Sequence, residues 1–536
     1  MVREDSFEKN ENLARKRDLN MSIANYGAIP DESESSDCWA DLPIKTATAT
    51  SSSSPNNSIS GKASQAFSLN QRDGTGQNGA NSNESGASVR LAANSIRLSI
   101  RNSLRSMVDA GFVLDGMPCS VRDIGGQATI LSEVFNICKN LVGGGVLSLS
   151  GGIALFSNNP MALFAASFWI VLFGLIFAYF CLLIAKVCNI TKAATFRECW
   201  QDTMGDVGGF IVALVNAVKP ALGNLAYSTI LSQTLSSLFQ TVGINLSRIE
   251  CLFLVTLLVL LPLCLLKNLA VLTPFSMLGT AGILLTAGAM VVRCFDGSYQ
   301  PGGIYFDDIA VEMRPEFGSH NRPFSIQALP FICMVFEAYV MHYNSPRFYT
   351  ELKCATIPRF TGAVGGAFGM SAVIYVIIAG AGFFTFGGNS NGYILNNYSP
   401  YDPLATVCRL AVAVSTMATF PIAFIGFRDG ILDALEVPPA RQTGRNLNAL
   451  TVVLLTIITV FAVFTTDLGM INAVGGGSLA TILVFVFPAL MYEKAIQMLG
   501  SRASLWEHRE VQFAYGLMVF GLIVGFVGVI QSVTSR

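Results

Sequence analysis

Along the chain the pattern of apolar and polar positions changes character once. Residues 1–128 are polar; from Thr129 onward, apolar runs follow one another with short polar connections. Eleven runs fall at 129–156, 161–186, 207–239, 251–266, 270–293, 326–346, 360–386, 403–427, 447–466, 468–492 and 512–533. Most are near the length, about 20 residues, that a helix needs to cross the hydrocarbon of a bilayer. Lipid offers no partner to a bare peptide group, so such segments must be helical. The pattern predicts an all-α polytopic membrane protein of eleven transmembrane helices (129–536) behind a disordered cytoplasmic N-terminal tail (1–128).

Two of the runs are interrupted. In the first, Gly143, Gly144, Gly145, Gly151 and Gly152 cluster in mid-run, just after Asn136 and Asn140. Glycine is costly inside an ordinary helix, and it is tolerated where helices pack closely or where a helix breaks beside a polar cavity. A run of three consecutive glycines points to the break, with a small-residue packing face as the alternative. Five runs later comes the sixth, which holds Pro330, Pro346, Glu337, His342 and Asn344. Interrupted helices at matching places in two halves predict a five-plus-five inverted repeat, runs 1–5 and 6–10, with helices 1 and 6 discontinuous and run 11 appended.

Charge sets the orientation. With the N-terminus inside, the inner connections hold thirteen Lys and Arg residues and the outer ones four. That bias fits the positive-inside rule and puts the C-terminus outside or in a lumen. Asn245-Leu-Ser and Asn397-Tyr-Ser then face outward as glycan acceptors, the second disfavoured by Pro400. Within the spans an ionisable side chain costs several kcal/mol to bury, which makes it a functional suspect. Glu337 is the foremost, either in transport or in a structural pair with Lys219 or Arg409. His342 is read as a proton relay or a packing histidine, and Glu133, Lys139 and Asp467 as interfacial.

Composition narrows the class further. The chain is 52% hydrophobic and only 13% charged, with a net charge of −1, and it has no basic stripe of the kind that binds nucleic acid. Its 12 cysteines show no metal spacing, so buried inert thiols are expected; Cys251 and Cys294, at outer span edges, can pair if that face is oxidising. The tail is Ser/Asn/Gly-rich at 51–54 and 74–88 and ends in a basic segment, 95–106, with Arg two residues before Ser. That segment suits a basophilic kinase or contact with the anionic lipid surface.

These residues resemble the amino acid/auxin permease (AAAP) family, within the amino acid–polyamine–organocation superfamily, over about residues 129–535. Asn136 followed by Gly143-x-Gly145-Val-Leu is similar to the family's first-span motif, and residues 262–276 to its fourth-to-fifth span junction. His342-Tyr-Asn344 with Tyr349-Thr-Glu351-Leu352, Gly382-Phe-Phe-Thr-Phe-Gly387, and Phe420-Pro421 with Arg428-Asp429 resemble the sixth to eighth spans. Two positions depart: Ser150 where the family usually has Pro, and Glu337 where it has an apolar or aromatic residue. The resemblance implies a LeuT-like fold and alternating-access symport of amino acids with H+ or Na+, without an enzymatic cofactor, in a vacuolar, lysosomal or plasma membrane.

The site that follows from this resemblance has the amides of Gly143, Gly144 and Gly145, near Asn140, taking the substrate carboxylate. Carbonyls near Phe336, Glu337 and Tyr339 take the ammonium, and Tyr227 closes over both. Asn136, Glu337, His342, Ser415, Thr416 and Thr419 are the candidates for ion coupling. An amino acid sensor signalling through the tail is the second reading, and a channel or receptor the third. An enzyme is not expected, since no nucleophile–base pair, metal motif or nucleotide loop is present.

Overall fold

Apolar periodicity and terminal caps produce a succession of helices. The computed structural model describes residues 126–205, 209–265, 273–435, 437–438 and 442–534. The expectations placed on residues 1–125 of the tail, including their disorder, the kinase site and the lipid contact, lie outside the described residues; residues 126–128, expected to be disordered with them, are instead bonded to the backbone of residues 350–353. The first run folds as α1 (Ile130–Leu141), capped by the Thr129 hydroxyl, which accepts the Ser132 N–H at 3.2 Å. Winding stops at Val142 (φ −84°, ψ 93°), and Gly143 is fully extended (φ −127°, ψ −176°). A 3-10 turn, Gly144–Ser148, then leads into α2 (Leu149–Ala154), and the two halves are bent by 49°.

Then come α3 (Ala162–Thr191), α4 (Phe196–Met204) and α5 (Gly209–Thr241), which contains Pro220. Next is α6 (Arg248–Val255), prolonged through a π turn (Thr256–Leu260), followed by α7 (Thr273–Phe295). The second half holds α8 (Leu329–Tyr339), α9 (Ser345–Glu351), α10 (Ile357–Phe386), α11 (Pro403–Ala434) and α12 (Gly444–Phe464). It ends with α13 (Leu468–Gly475), which runs through π-helical turns into α14 (Phe487–Leu499), and α15 (Leu505–Thr534).

Among the described residues, seven helical stretches are long and apolar enough to cross a membrane, eight if the bent α1–α2 pair is one span. The difference from eleven lies at runs 3, 4 and 5. Run 3 (helix α5) starts beside residues 206–208, and runs 4 and 5 flank residues 266–272, all outside the described set.

Helix α10 packs along α1 and α3, α11 along α5 and α7, and α8 along α13 and α15. At the centre Phe336 sits among Phe173, Phe177 and Phe485, with ring centroids 4.8, 5.2 and 5.4 Å away. The outward faces are apolar as well: Phe164, Leu175, Leu258, Phe461 and Phe526 are all exposed. An apolar exterior around an apolar core is what lipid requires. Cys251 and Cys294 are free thiols, so the disulfide weighed for them does not form here. Asn397 is fully buried and binds Asn389 O and Met313 O through Nδ2, so in this fold it is closed to a glycan; Asn245 is exposed.

Candidate functional site

The opened backbone after α1 is held from two sides. From α10, three positions spaced by four and three residues point along one face. Ser371 Oγ reaches Cys138 Sγ at 3.5 Å, the Tyr375 hydroxyl donates to Leu141 O at 2.8 Å, and Ile378 O accepts the Ser150 hydroxyl at 3.1 Å. Helix α10 therefore splints both halves of the bent pair. Gly382 makes this possible, since a side-chain carbon there would sit 2.8 Å from Ser150 Cβ. From α13, Asn472 Nδ2 donates to Gly145 O at 3.2 Å and to Ser148 Oγ at 2.9 Å. Gly144 faces Ile230 of α5, whereas the Cβ position of Gly143 opens onto space.

The second opening is at the end of α8. Val340 is extended (φ −75°, ψ 112°), and a 3-10 turn, His342–Asn344, precedes α9. The freed Ala338 carbonyl accepts from Tyr375 at 2.7 Å, from the same hydroxyl that meets Leu141 O. One buried tyrosine thus joins the C-terminal ends of α1 and α8. Leaving such carbonyls bare in an apolar interior would cost about 1–3 kcal/mol each.

Glu337, one residue earlier, forms an ion pair through Oε1 with Lys219 of α5. Of the roles weighed for it, a pair with Lys219 is what the geometry contains. Arg409 is occupied elsewhere, donating to the carbonyls of Leu395, Tyr398 and Ser399. Tyr227 and Tyr343 are within electrostatic reach of Glu337. Helix α13 lies close over the acid: a side-chain carbon on Gly475 would come 3.1 Å from Glu337 Oε2, and one on Gly476 would meet the Cys333 backbone.

The other expected site residues are more dispersed. Phe336 belongs to the aromatic core described above, and buried Tyr339 stacks on Phe368 at 5.6 Å. His342 is fully buried, with Nε2 2.9 Å from Phe177 O, its ring edge-on to Phe177 and its Nδ1 without a hydrogen-bond partner. Asn136 is exposed and donates to Glu133 Oε2 at 3.2 Å; Asn140 is exposed too. Glu133 itself is fully buried, in the first turn of α1. Asp467 caps α13, accepting the Met470 N–H at 3.0 Å. The hydroxyls of Thr416 and Thr419 bond to Val412 O and Ser415 O, one turn back on their own helix. A cavity of about 410 Å³ opens beside α2, lined by Gly151, Met334, Asn391, Gly392 and Asp467 among others. Among the described residues no His/Cys/Asp/Glu group is arranged to hold a metal.

Tyr375, Asn472 and Ser148 were not foreseen. Each is a single polar residue inside an apolar run, and the hint available was that such a residue needs a partner.

Long apolar helices with an apolar exterior define a multi-pass membrane protein. The family model described as "Transmembrane amino acid transporter protein" matches residues 126–534. The chain belongs to this family, the amino acid/auxin permeases; it is a transporter-family protein and not an enzyme. It is 26% identical to the "Putative sodium-coupled neutral amino acid transporter 11" of Danio rerio, over 76% of this chain and 87% of that one. It is 22% identical to "Amino acid transporter AVT6E" of Arabidopsis thaliana, over 76% and 83%. Among solved structures, the inward-facing conformation of Mhp1 is similar over 78% of this chain and 93% of its own, at 13% identity and a TM-score of 0.48.

Proposed function

We propose that the chain is a secondary active transporter that moves neutral amino acids by alternating access, through eleven spans arranged as a five-plus-five inverted repeat. The observation that supports this best is the meeting of two interrupted helices at one point. The C-terminal carbonyls of α1 and α8 share Tyr375, and the outer half begins at Gly143–Gly145, with open space at Gly143. Amides at the start of a helical segment favour a carboxylate, and carbonyls at the end of one favour an ammonium. On this reading a zwitterion bridges the two, with Tyr227 of α5 closing over it. The Lys219–Glu337 pair leaves this centre without net charge, which suits a substrate whose side chain is neutral. The two relatives' names agree with amino acids as cargo.

Coupling is assigned to Glu337. Its pair spans α5 and α8, so movement of one against the other breaks it, and a proton can replace Lys219 on the carboxylate when that happens. A sodium ion held by Ser415, Thr416 and Thr419 is the competing assignment, favoured by the "sodium-coupled" in the zebrafish relative's name. Uptake into proteoliposomes under imposed proton or sodium gradients tests both, with Glu337→Gln beside the parent. Proton-driven uptake that loses its pH dependence in the variant is expected. Absence of any amino-acid-dependent flux in the parent would overturn transport, and a pH profile unchanged by the substitution would remove Glu337 from the mechanism.

A further inference from the structure

We propose that the Tyr375 hydroxyl stands in the place of a cation between the ends of α1 and α8, so that this junction is closed by a proton donor of the protein and takes no ion. The inference deepens the transport reading and rests on it. A helix C-terminus carries partial negative charge, and its last carbonyls have no partner within the helix. Leu141 is the last residue of α1 and Ala338 the last but one of α8. Two such ends brought together repel each other unless positive charge lies between them. In transporters with interrupted helices, opened carbonyls and half-helix C-termini are the groups that coordinate the driving ion.

Here the same electrostatic need is met differently. Tyr375 Oη lies 2.8 Å from Leu141 O and 2.7 Å from Ala338 O, so one phenolic proton is shared between two acceptors. Oxygens this close to the hydroxyl leave no room for a metal ion among them. Tyr375 has no exposed surface, and its ring lies 4.8 Å from that of Tyr339, which holds it in place. Among the described residues no carboxylate bonds to the Tyr375 hydroxyl, and Glu337, the nearest acid in sequence to Ala338, is turned to Lys219. Removing the hydroxyl while keeping the ring leaves two helix-end carbonyls facing each other without a donor, a pair of partial negative charges that a monovalent cation can offset.

The test uses the purified full chain in detergent and compares melting in sodium chloride with melting in choline chloride at equal ionic strength. The parent, Tyr375→Phe and Tyr375→His are measured side by side. In choline, Tyr375→Phe is expected to melt roughly 3 °C or more below the parent. Sodium should restore at least half of that loss, by more than any shift it gives the parent. Tyr375→His keeps a ring N–H donor and should respond to salt as the parent does. A Phe variant that loses nothing, or loses equally in both salts, overturns the proposal. If the Phe variant does not fold, the His variant decides: parental salt behaviour supports a required donor, and failure to fold assigns the position to packing and overturns the idea. Flux through the parent in liposomes is measured separately, so a chain that melts as expected and carries nothing would sink the transport reading instead.

Discussion

The two openings in the backbone solve one problem by different means. After α1 the chain passes through small residues, and its peptide groups are held by neutral donors: Tyr375 and Asn472, with Ser150 fastening the far side to Ile378. After α8 the surroundings are large and charged. Glu337 pairs with Lys219, Phe336 is locked among three other rings, and His342 is pinned to Phe177 O. Neutral hydrogen bonds can be given up one at a time, each at about 1–3 kcal/mol, and a substrate's carboxylate can accept from the donor released. A buried ion pair is all or nothing, because losing one member strands the other. The first opening is thus suited to hold cargo, and the second to register movement between α5 and α8.

The largest effect that would sharpen this contrast is at the ion pair. Lys219→Ala or Glu337→Ala alone should each cost about 3–5 kcal/mol, because an uncompensated charge remains in a poorly solvated place. The double variant Lys219→Met with Glu337→Met should recover most of that stability while losing pH-dependent uptake. Melting of the purified single and double variants reads the first point; a double variant as unstable as the two singles combined would deny that the pair acts as a unit.

A smaller effect belongs to the first opening. Asn472→Ala removes the donor to Gly145 O and Ser148 Oγ, at about 1–2 kcal/mol, within the range for hydrogen bonds left unmade. If this opening holds cargo, the apparent KM for uptake should rise more than the maximal rate falls. A loss confined to the maximal rate would place Asn472 in the moving parts instead. The smallest effect is expected at His342. His342→Gln should leave the pH profile of uptake where it is, since the imidazole is packed and bonded rather than relayed to a cavity; a shifted profile would return it to the ion path.

Much of this arrangement was legible in the chain. Glycines marked the stretch where α1 stops, because few other residues punctuate an apolar run; Pro330 and Pro346 instead sit in the first turns of α8 and α9, on either side of the break at Val340. The possible Lys219–Glu337 pairing also followed from the sequence, as two opposite charges in apolar runs have few other partners. The residues that join the openings were not legible. Tyr375 lies 234 positions from Leu141, and Asn472 lies 327 from Gly145. Hydrophobic periodicity says which face of a helix is apolar and nothing about which distant carbonyl a lone hydroxyl will meet. Phe336 and Tyr339 show the converse. They are site candidates for their carbonyls, and helical geometry places their side chains in the aromatic core.

The central claim is that the opened peptide groups after α1 and α8 bind the amino acid together. Amide hydrogen exchange of the purified chain, with and without a mixture of neutral amino acids, tests it at the residues concerned. Slower exchange in both 142–146 and 338–344 on adding the mixture is the expected result. Unchanged exchange in both stretches, in a preparation that transports those amino acids, would contradict it.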